Sequence, residues 1–199
     1  MPDMSSSQLD RISVLGQAPD GPAPGASEFG LVQAKPAARF SLRLDPDVAS
    51  DLSEVAGFEI KQQINQLSGS GNLSMRLGPD EWLLIAEEQD AGTLAAELEQ
   101  VLTGKRHSLV DISHRNIALI LSGRRAADVL STGCPLDFHS SAFPAQKATR
   151  TVFAKSEVII AKTSEASEYR VECWRSFGRY LEAYLRNSAR LLGIGADLG

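Results

Sequence analysis

The sequence is short of the residues that usually announce chemistry. Its 199 residues include only two cysteines, Cys134 and Cys173, and three histidines. Two cysteines cannot build a disulfide scaffold and fit a chain kept in a reducing compartment. An excess of positive charge is also missing. Twenty Lys and Arg face twenty-five Asp and Glu, a net charge of −5 and a pI near 5.3. That balance excludes the basic footprint of a nucleic-acid binder. Long apolar runs are absent too: none exceeds the five residues of 117–121, against the about 20 residues a membrane-spanning helix needs. The opening MPDMSSSQLDRISVLGQAPD has no positive region leading into an apolar stretch, so no secretory signal is expected. These absences point to a cytoplasmic globular protein with neither nucleic acid nor membrane as partner.

What is present divides unevenly along the chain. Residues 1–38 hold Pro2, Pro19, Pro22, Pro24 and Pro36, with Gly16, Gly21, Gly25 and Gly30 between them. Alone, such a stretch buries too little apolar surface to offset its ordering entropy, so a flexible N-terminal arm is expected. Anchors such as Ile12, Phe29 and Leu31 would let that arm order on a partner. From Phe40 the pattern turns regular. FSLRL (40–44) alternates as a strand does, and a helix follows with Asp45 or Asp47 as cap and Gly57 near its stop. Residues 72–77 and 81–86 read as strands turning at Gly78-Pro79-Asp80, and 90–102 as a helix closed by Gly104. The second half repeats the theme: strands at 107–112 and 115–122, a short helix ending at Gly133, strands at 148–154, 156–163 and 168–174, and a last helix over 176–192. Both halves read strand, helix, two or more strands, helix. The expected fold is α+β: one compact domain, 39–193, of two pseudo-duplicated antiparallel sheet units (39–104 and 105–193) with covering helices.

A search for catalytic patterns finds none. No GxGxxG follows a strand and no GxxxxGK[ST] occurs; Gly69-Ser70-Gly71 precedes a strand instead of opening a helix. The histidines His107, His114 and His139 and the two cysteines show no metal-ligand spacing. Cys134, just before Pro135, reads as a small buried hydrophobe. Asp111, Ser113 and His114 lie close together, but on a strand the first two share a face while the third points away. Asp111 and Ser113 are better read as capping a strand end.

The last helix is the most informative element. On a helical wheel Phe177, Tyr180, Leu181, Tyr184, Leu185, Leu191 and Leu192 gather on one side. Arg175, Arg179, Arg186 and Arg190 gather on the other, joined by Glu182. The first group is expected to pack on the sheet. The arginines form either a solvated face or a stripe for docking a partner. Eight of the twelve aromatic residues lie between Phe138 and Tyr184, so the heavier core is expected in the second half.

Taken together, LGPDEWLLIA (77–86), LVDISHRNIALILSG (109–123), GCPLD-x(5)-FP (133–144), Arg150-Thr151 and WRSFGRYLEAYL (174–185) resemble the gamma-subunit family of heterotetrameric sarcosine oxidase. The resemblance runs from about residue 38 to 193. It implies a non-catalytic subunit with a structural, assembly role, in a complex that converts sarcosine, tetrahydrofolate and oxygen to glycine, 5,10-methylenetetrahydrofolate and hydrogen peroxide. It places FAD, FMN, NAD, tetrahydrofolate and zinc on the partner alpha, beta and delta subunits, and none in this chain. It implies a fold similar to the folate-binding domain of the glycine-cleavage aminomethyltransferase, and it carries over no catalytic, cofactor or metal residue. Two other readings accompany it: a folate-dependent aminomethyltransferase-like protein, and the gamma subunit of a related N-methyl amino acid dehydrogenase.

Overall fold

Alternating stretches and short apolar runs make the strands of this protein, and two sheets then bury their inner faces against each other. The computed structural model describes residues 28–86 and 90–194. It contains the strands β1 (Gly30–Gln33), β2 (Ala38–Leu44), β3 (Glu54–Val55), β4 (Phe58–Glu59), β5 (Gln66–Ser68), β6 (Asn72–Arg76) and β7 (Glu81–Ala86). It continues with β8 (His107–Asp111), β9 (Asn116–Ser122), β10 (Ala148–Phe153), β11 (Ser156–Ser164) and β12 (Glu168–Trp174). Its helices are α1 (Pro46–Asp51), α2 (Ala91–Leu102), α3 (Ala126–Ser131) and α4 (Gly178–Leu191).

One five-stranded sheet has the order β5-β6-β7-β2-β8 and the other β1-β9-β12-β11-β10, every pairing antiparallel. In the first sheet Phe40, Leu42, Trp82 and Leu84 face outward and meet Leu94, Leu98 and Leu102 of α2. In the second, Leu119, Ile160, Tyr169 and Val171 face outward and meet α3 and α4 through Val129, Leu181, Leu185 and Ala189. Between the sheets lies a third apolar layer, with Leu67, Leu73, Met75, Leu83 and Ile85 from one side and Ala148, Ile159 and Ala161 from the other. The layers therefore run helix, sheet, sheet, helix. Along one side β5 meets the chain entering β10: Leu67 N–H donates to Gln146 O at 2.7 Å and Ala148 N–H to Asn65 O at 3.0 Å.

The duplication read from the sequence is present strand by strand, with one exchange. β2, α1, β5, the β6–β7 pair and α2 correspond in order to β9, α3, β10, the β11–β12 pair and α4. The strand that leads each half, however, sits in the opposite sheet. β1 pairs with β9, and β8 pairs with β2. The expected units 39–104 and 105–193 thus each lack an edge strand of their own.

That exchange also corrects the expected arm. Residues 1–27 lie outside the described residues, but 28–38 belong to the fold. Phe29 and Leu31 are buried with the second sheet's core. Each contributes about 1.5–3 kcal/mol of apolar burial, and the β1–β9 ladder supplies the hydrogen bonds that composition does not reveal. The helix expected from Asp45 to Gly57 is corrected as well. Asp45 caps it, but it ends at Asp51. Ala56 and Gly57, both at positive φ, form the tight turn of the β3–β4 hairpin instead.

Helix α4 forms where expected, after one 3₁₀ turn over Arg175–Phe177. Its buried side keeps Leu181 and Leu185 of the group the wheel selects but is turned away from the rest. Gly178, Leu181, Leu185, Ser188 and Ala189 are buried, whereas Phe177, Tyr180, Leu191 and Leu192 are exposed. The cause is close packing. A Cβ on Gly178 would sit 2.3 Å from Ile117 Cδ1, and Ser188 Oγ bonds Thr132 Oγ1 of the α3 end at 2.8 Å. Small residues face the sheet and α3, so the larger apolar side chains fall on a flank.

Candidate functional site

A cleft opens between the two inner sheet faces, lined by Ser41, Glu81, Arg115, Asn116, Arg150, Glu157, Glu172 and Trp174 among others. Its floor is ionic. Glu172, on the inner face of β12, is buried and accepts from Arg39 Nε at 2.8 Å, Arg39 Nη2 at 3.2 Å and Arg170 Nε at 2.8 Å. Arg39 lies on the facing strand β2 and also donates to Ala37 O at 3.2 Å. One carboxylate thus ties two sheets together. Burial by itself pushes the Glu172 carboxyl up, but the guanidiniums of Arg39 and Arg170 overcome it and hold it below the usual glutamate value.

Nearer the rim, Glu81 receives a forked pair of hydrogen bonds from Arg150, the longer at 3.1 Å, and an ion pair from Arg43 at 3.3 Å. The Arg150 hydrogen bond, opposed by partial burial, keeps Glu81 below its ordinary value. Both glutamates are therefore fixed as carboxylates around neutral pH, and neither is poised to give a proton. The neighbouring Cys173 thiol is pushed up to about 12 by burial, so it stays a protonated thiol at neutral pH.

The other sequence candidates take structural roles. Ser113 Oγ accepts from Arg39 N–H at 2.9 Å, and Ser113 N–H donates to Asp111 Oδ1 at 2.8 Å, closing the end of β8; His114 is exposed. Cys134 is buried, with its sulfur 3.8 Å from Thr151 Oγ1. Among the described residues no three His, Cys, Asp or Glu side chains come together as a metal site. Gly69-Ser70-Gly71 is the turn of the β5–β6 hairpin. A Cβ on Gly69, whose φ is +92°, would lie 1.8 Å from Asn72 O. Gly71 has open space around it. Gly69→Ala is expected to cost about 1–3 kcal/mol, through a strained φ and the collision. Gly71→Ala should change stability by less than about 0.5 kcal/mol. Paired urea titrations of the two variants check this.

The arginines of the last helix are not equivalent. Arg186 pairs with Glu182 one turn earlier at 2.9 Å, while Arg179 and Arg190 are exposed and Arg175 is half-buried. Arg39, Glu81, Arg150, Arg170 and Glu172 escaped the sequence reading. The available signal was the polar side of two alternating strands, ARFSLRL and EYRVECW, which carry opposite charges. Two of the strings quoted for the family resemblance also meet here, Glu81 of GPDEW on Arg150 of the Arg150-Thr151 pair.

Comparison with known proteins agrees with this architecture. Residues 42–190 match the model of the sarcosine oxidase, gamma subunit family. Sarcosine oxidase subunit gamma from Arthrobacter sp. is 37% identical over 120 residues, 59% of this chain and 58% of that protein. The subunit gamma of Corynebacterium sp. strain P-1 is 38% identical over 120 residues, with the same shares covered. The chain thus spans about three fifths of the length of these relatives. In three dimensions it matches a chain of the heterotetrameric sarcosine oxidase from Corynebacterium sp. U-96, determined in complex with pyrrole 2-carboxylate. The TM-score is 0.77 at 27% identity, covering 88% of this chain and 91% of that one. Aminomethyltransferase T of the glycine cleavage system from Bartonella henselae shares the fold, with a TM-score of 0.63 at 18% identity over 82% of this chain and 47% of that one. With the match running from the second strand into the last helix, this chain belongs to the sarcosine oxidase, gamma subunit family.

Proposed function

We propose that this chain is the non-catalytic gamma subunit of a cytoplasmic sarcosine oxidase complex. Its role there is assembly, beside alpha, beta and delta subunits that hold FAD, FMN, NAD, tetrahydrofolate and zinc. The complex converts sarcosine, tetrahydrofolate and oxygen to glycine, 5,10-methylenetetrahydrofolate and hydrogen peroxide. The observation that carries this reading is the family match over residues 42–190. It is supported by the likeness to a chain of a heterotetrameric sarcosine oxidase. The site geometry supports it too, since Glu81 and Glu172 serve as structural ion pairs and not as acids or bases. No helix among the described residues is long and apolar enough to cross a membrane.

The arginine flank of α4, Arg175, Arg179, Arg186 and Arg190, is proposed to steer the approach of an acidic partner surface, where charge acts mainly on the association rate. The test is co-expression with the flavin-bearing subunits. Wild-type chain should co-elute with them, and omitting it should lower the yield of assembled, sarcosine-oxidising complex. The chain purified alone should be colourless and show no saturable calorimetric binding of a tetrahydrofolate analogue at micromolar concentration. A flavin absorbance band or a clear folate isotherm would overturn the assembly-only role and favour the aminomethyltransferase-like reading. Arg179→Ala with Arg190→Ala should slow association and weaken its salt dependence.

A further inference from the structure

We infer that the open end of the inter-sheet cleft, centred on Arg115, Trp174 and Phe177, is where this chain anchors on a partner subunit. The partner group it fits is a carboxylate flanked by an aliphatic or aromatic side chain. The inference rests on the gamma-subunit reading above and assigns that subunit its contact surface.

Charge matching singles out Arg115. Arg39 and Arg170 share Glu172, and Arg43 and Arg150 share Glu81. Glu157, the remaining carboxylate of the cleft lining, lies 3.8 Å from Arg150. Arg115 Nε donates only to Asn116 Oδ1, at 3.1 Å, and the guanidinium lies 5.8 Å from the centre of the Trp174 ring. Among the described residues no carboxylate stands within ion-pair distance of it. Each acid in the cleft already has its base, so the carboxylate that matches Arg115 comes from outside.

The surroundings are those of an anchor. Trp174 is 48% exposed, Phe177 37% and Tyr180, one helical turn further, 38%. Tryptophan, tyrosine and arginine are the residue types that dominate binding energy at protein interfaces. They are also held in place before any partner arrives. Arg115 N–H donates to Ile112 O at 3.0 Å, and its carbonyl accepts from Arg175 N–H at 2.7 Å, which fixes the β8–β9 turn against the end of β12. A guanidinium already stacked on an indole loses little freedom on docking. The whole cleft offers about 40 Å³, well below the roughly 300–1,000 Å³ of a pocket that encloses a small molecule. An organic ligand does not fit inside it; the occupant lies across the mouth, as a protein surface does.

The test measures binding of the purified chain to the remaining subunits, with the melting temperature of the free chain as control. Arg115→Glu and Trp174→Gln should each weaken the dissociation constant by about 30-fold or more. Melting of the free chain should change little, because Trp174 is about half exposed and Arg115 makes no ion pair among the described residues. Arg115→Met and Phe177→Ser are the second pair should either first variant fail to fold. Wild-type affinity in the folded variants overturns the inference while leaving the gamma-subunit reading intact. So does a loss confined to Arg179→Ala with Arg190→Ala, which would move the anchor to the α4 flank. Failure of the wild-type chain to bind the subunits at all overturns the gamma-subunit reading, and this inference with it.

Discussion

Glu172→Ala is expected to lower the stability of the free protein by about 3–5 kcal/mol, the usual cost of removing one partner from a buried ion cluster. Glu172 is fully buried and answers two arginines, one of them on the opposite sheet. Arginine stays protonated in proteins and cannot escape by losing its proton. The substitution therefore leaves two buried cations without this carboxylate and takes away the side-chain hydrogen bonds from Arg39 on β2 to Glu172 on β12. Replacing the whole cluster at once, with Arg39→Met, Arg170→Met and Glu172→Leu, should recover much of that loss, because the cluster then holds no unmatched charge. Urea unfolding at pH 7 measures all three proteins. A loss below about 1 kcal/mol in Glu172→Ala would show that apolar packing alone holds the sheets together.

The same group sets an acid limb. Its folded-state pKa lies below the ordinary glutamate value, with burial opposing and the two arginines prevailing. The stabilisation it contributes is therefore complete above the unfolded-state value of about 4.3 and is lost as pH falls through the lower folded-state value. Glu81, held down by Arg150, adds in the same direction, though its partial exposure to solvent reduces its share. Unfolding free energy measured from pH 5.5 down to pH 2.5 should fall steeply for wild type. The slope should be shallower in Glu172→Gln, which has no carboxyl at that position to protonate.

The sequence made the local elements legible and left their partners obscure. FSLRL and EYRVECW alternate cleanly, EWLLIA is a short apolar run, and all three are strands. Alternation says which residues share a face. It does not say whether the polar face meets water or a second sheet. Arg39 and Glu172 lie 133 positions apart, and nothing near either one predicts the other. The wheel of α4 placed Leu181 and Leu185 correctly and misplaced Tyr180, Leu191 and Leu192 for a related reason. It ranks positions by hydrophobicity, whereas the close approach to Ile117 selects for size, so Gly178 is buried and Leu191 is 89% exposed. The family resemblance was legible because whole strings carry it. GPDEW and Arg150-Thr151 stood in the sequence as separate signals, and only the packed sheets show that they meet.

Cutting the chain after Gly104 should leave two fragments that cannot fold separately and that associate when mixed. Fragment 1–104 keeps β2 but loses β8, which pairs with β2 over Phe40 to Leu44. Fragment 105–199 keeps β9 but loses β1, together with the buried Phe29 and Leu31. Each fragment would expose an unpaired inner strand edge and its half of the apolar layer, including Leu73, Met75, Leu83 and Ile85 on one side and Ile159 and Ala161 on the other. Unpaired edges and bare apolar faces favour aggregation over folding. Together the fragments restore both exchanged strands and the Arg39–Glu172 bridge. Co-expression should then yield a soluble pair with one cooperative melting transition, while each fragment alone shows none. In the intact chain Phe29→Ala should cost about 3–5 kcal/mol, as for other fully buried aromatics. Had residues 1–38 been only an arm, that change would be nearly silent. Two fragments that each melt cooperatively on their own would refute the exchange and restore 39–104 and 105–193 as self-sufficient units.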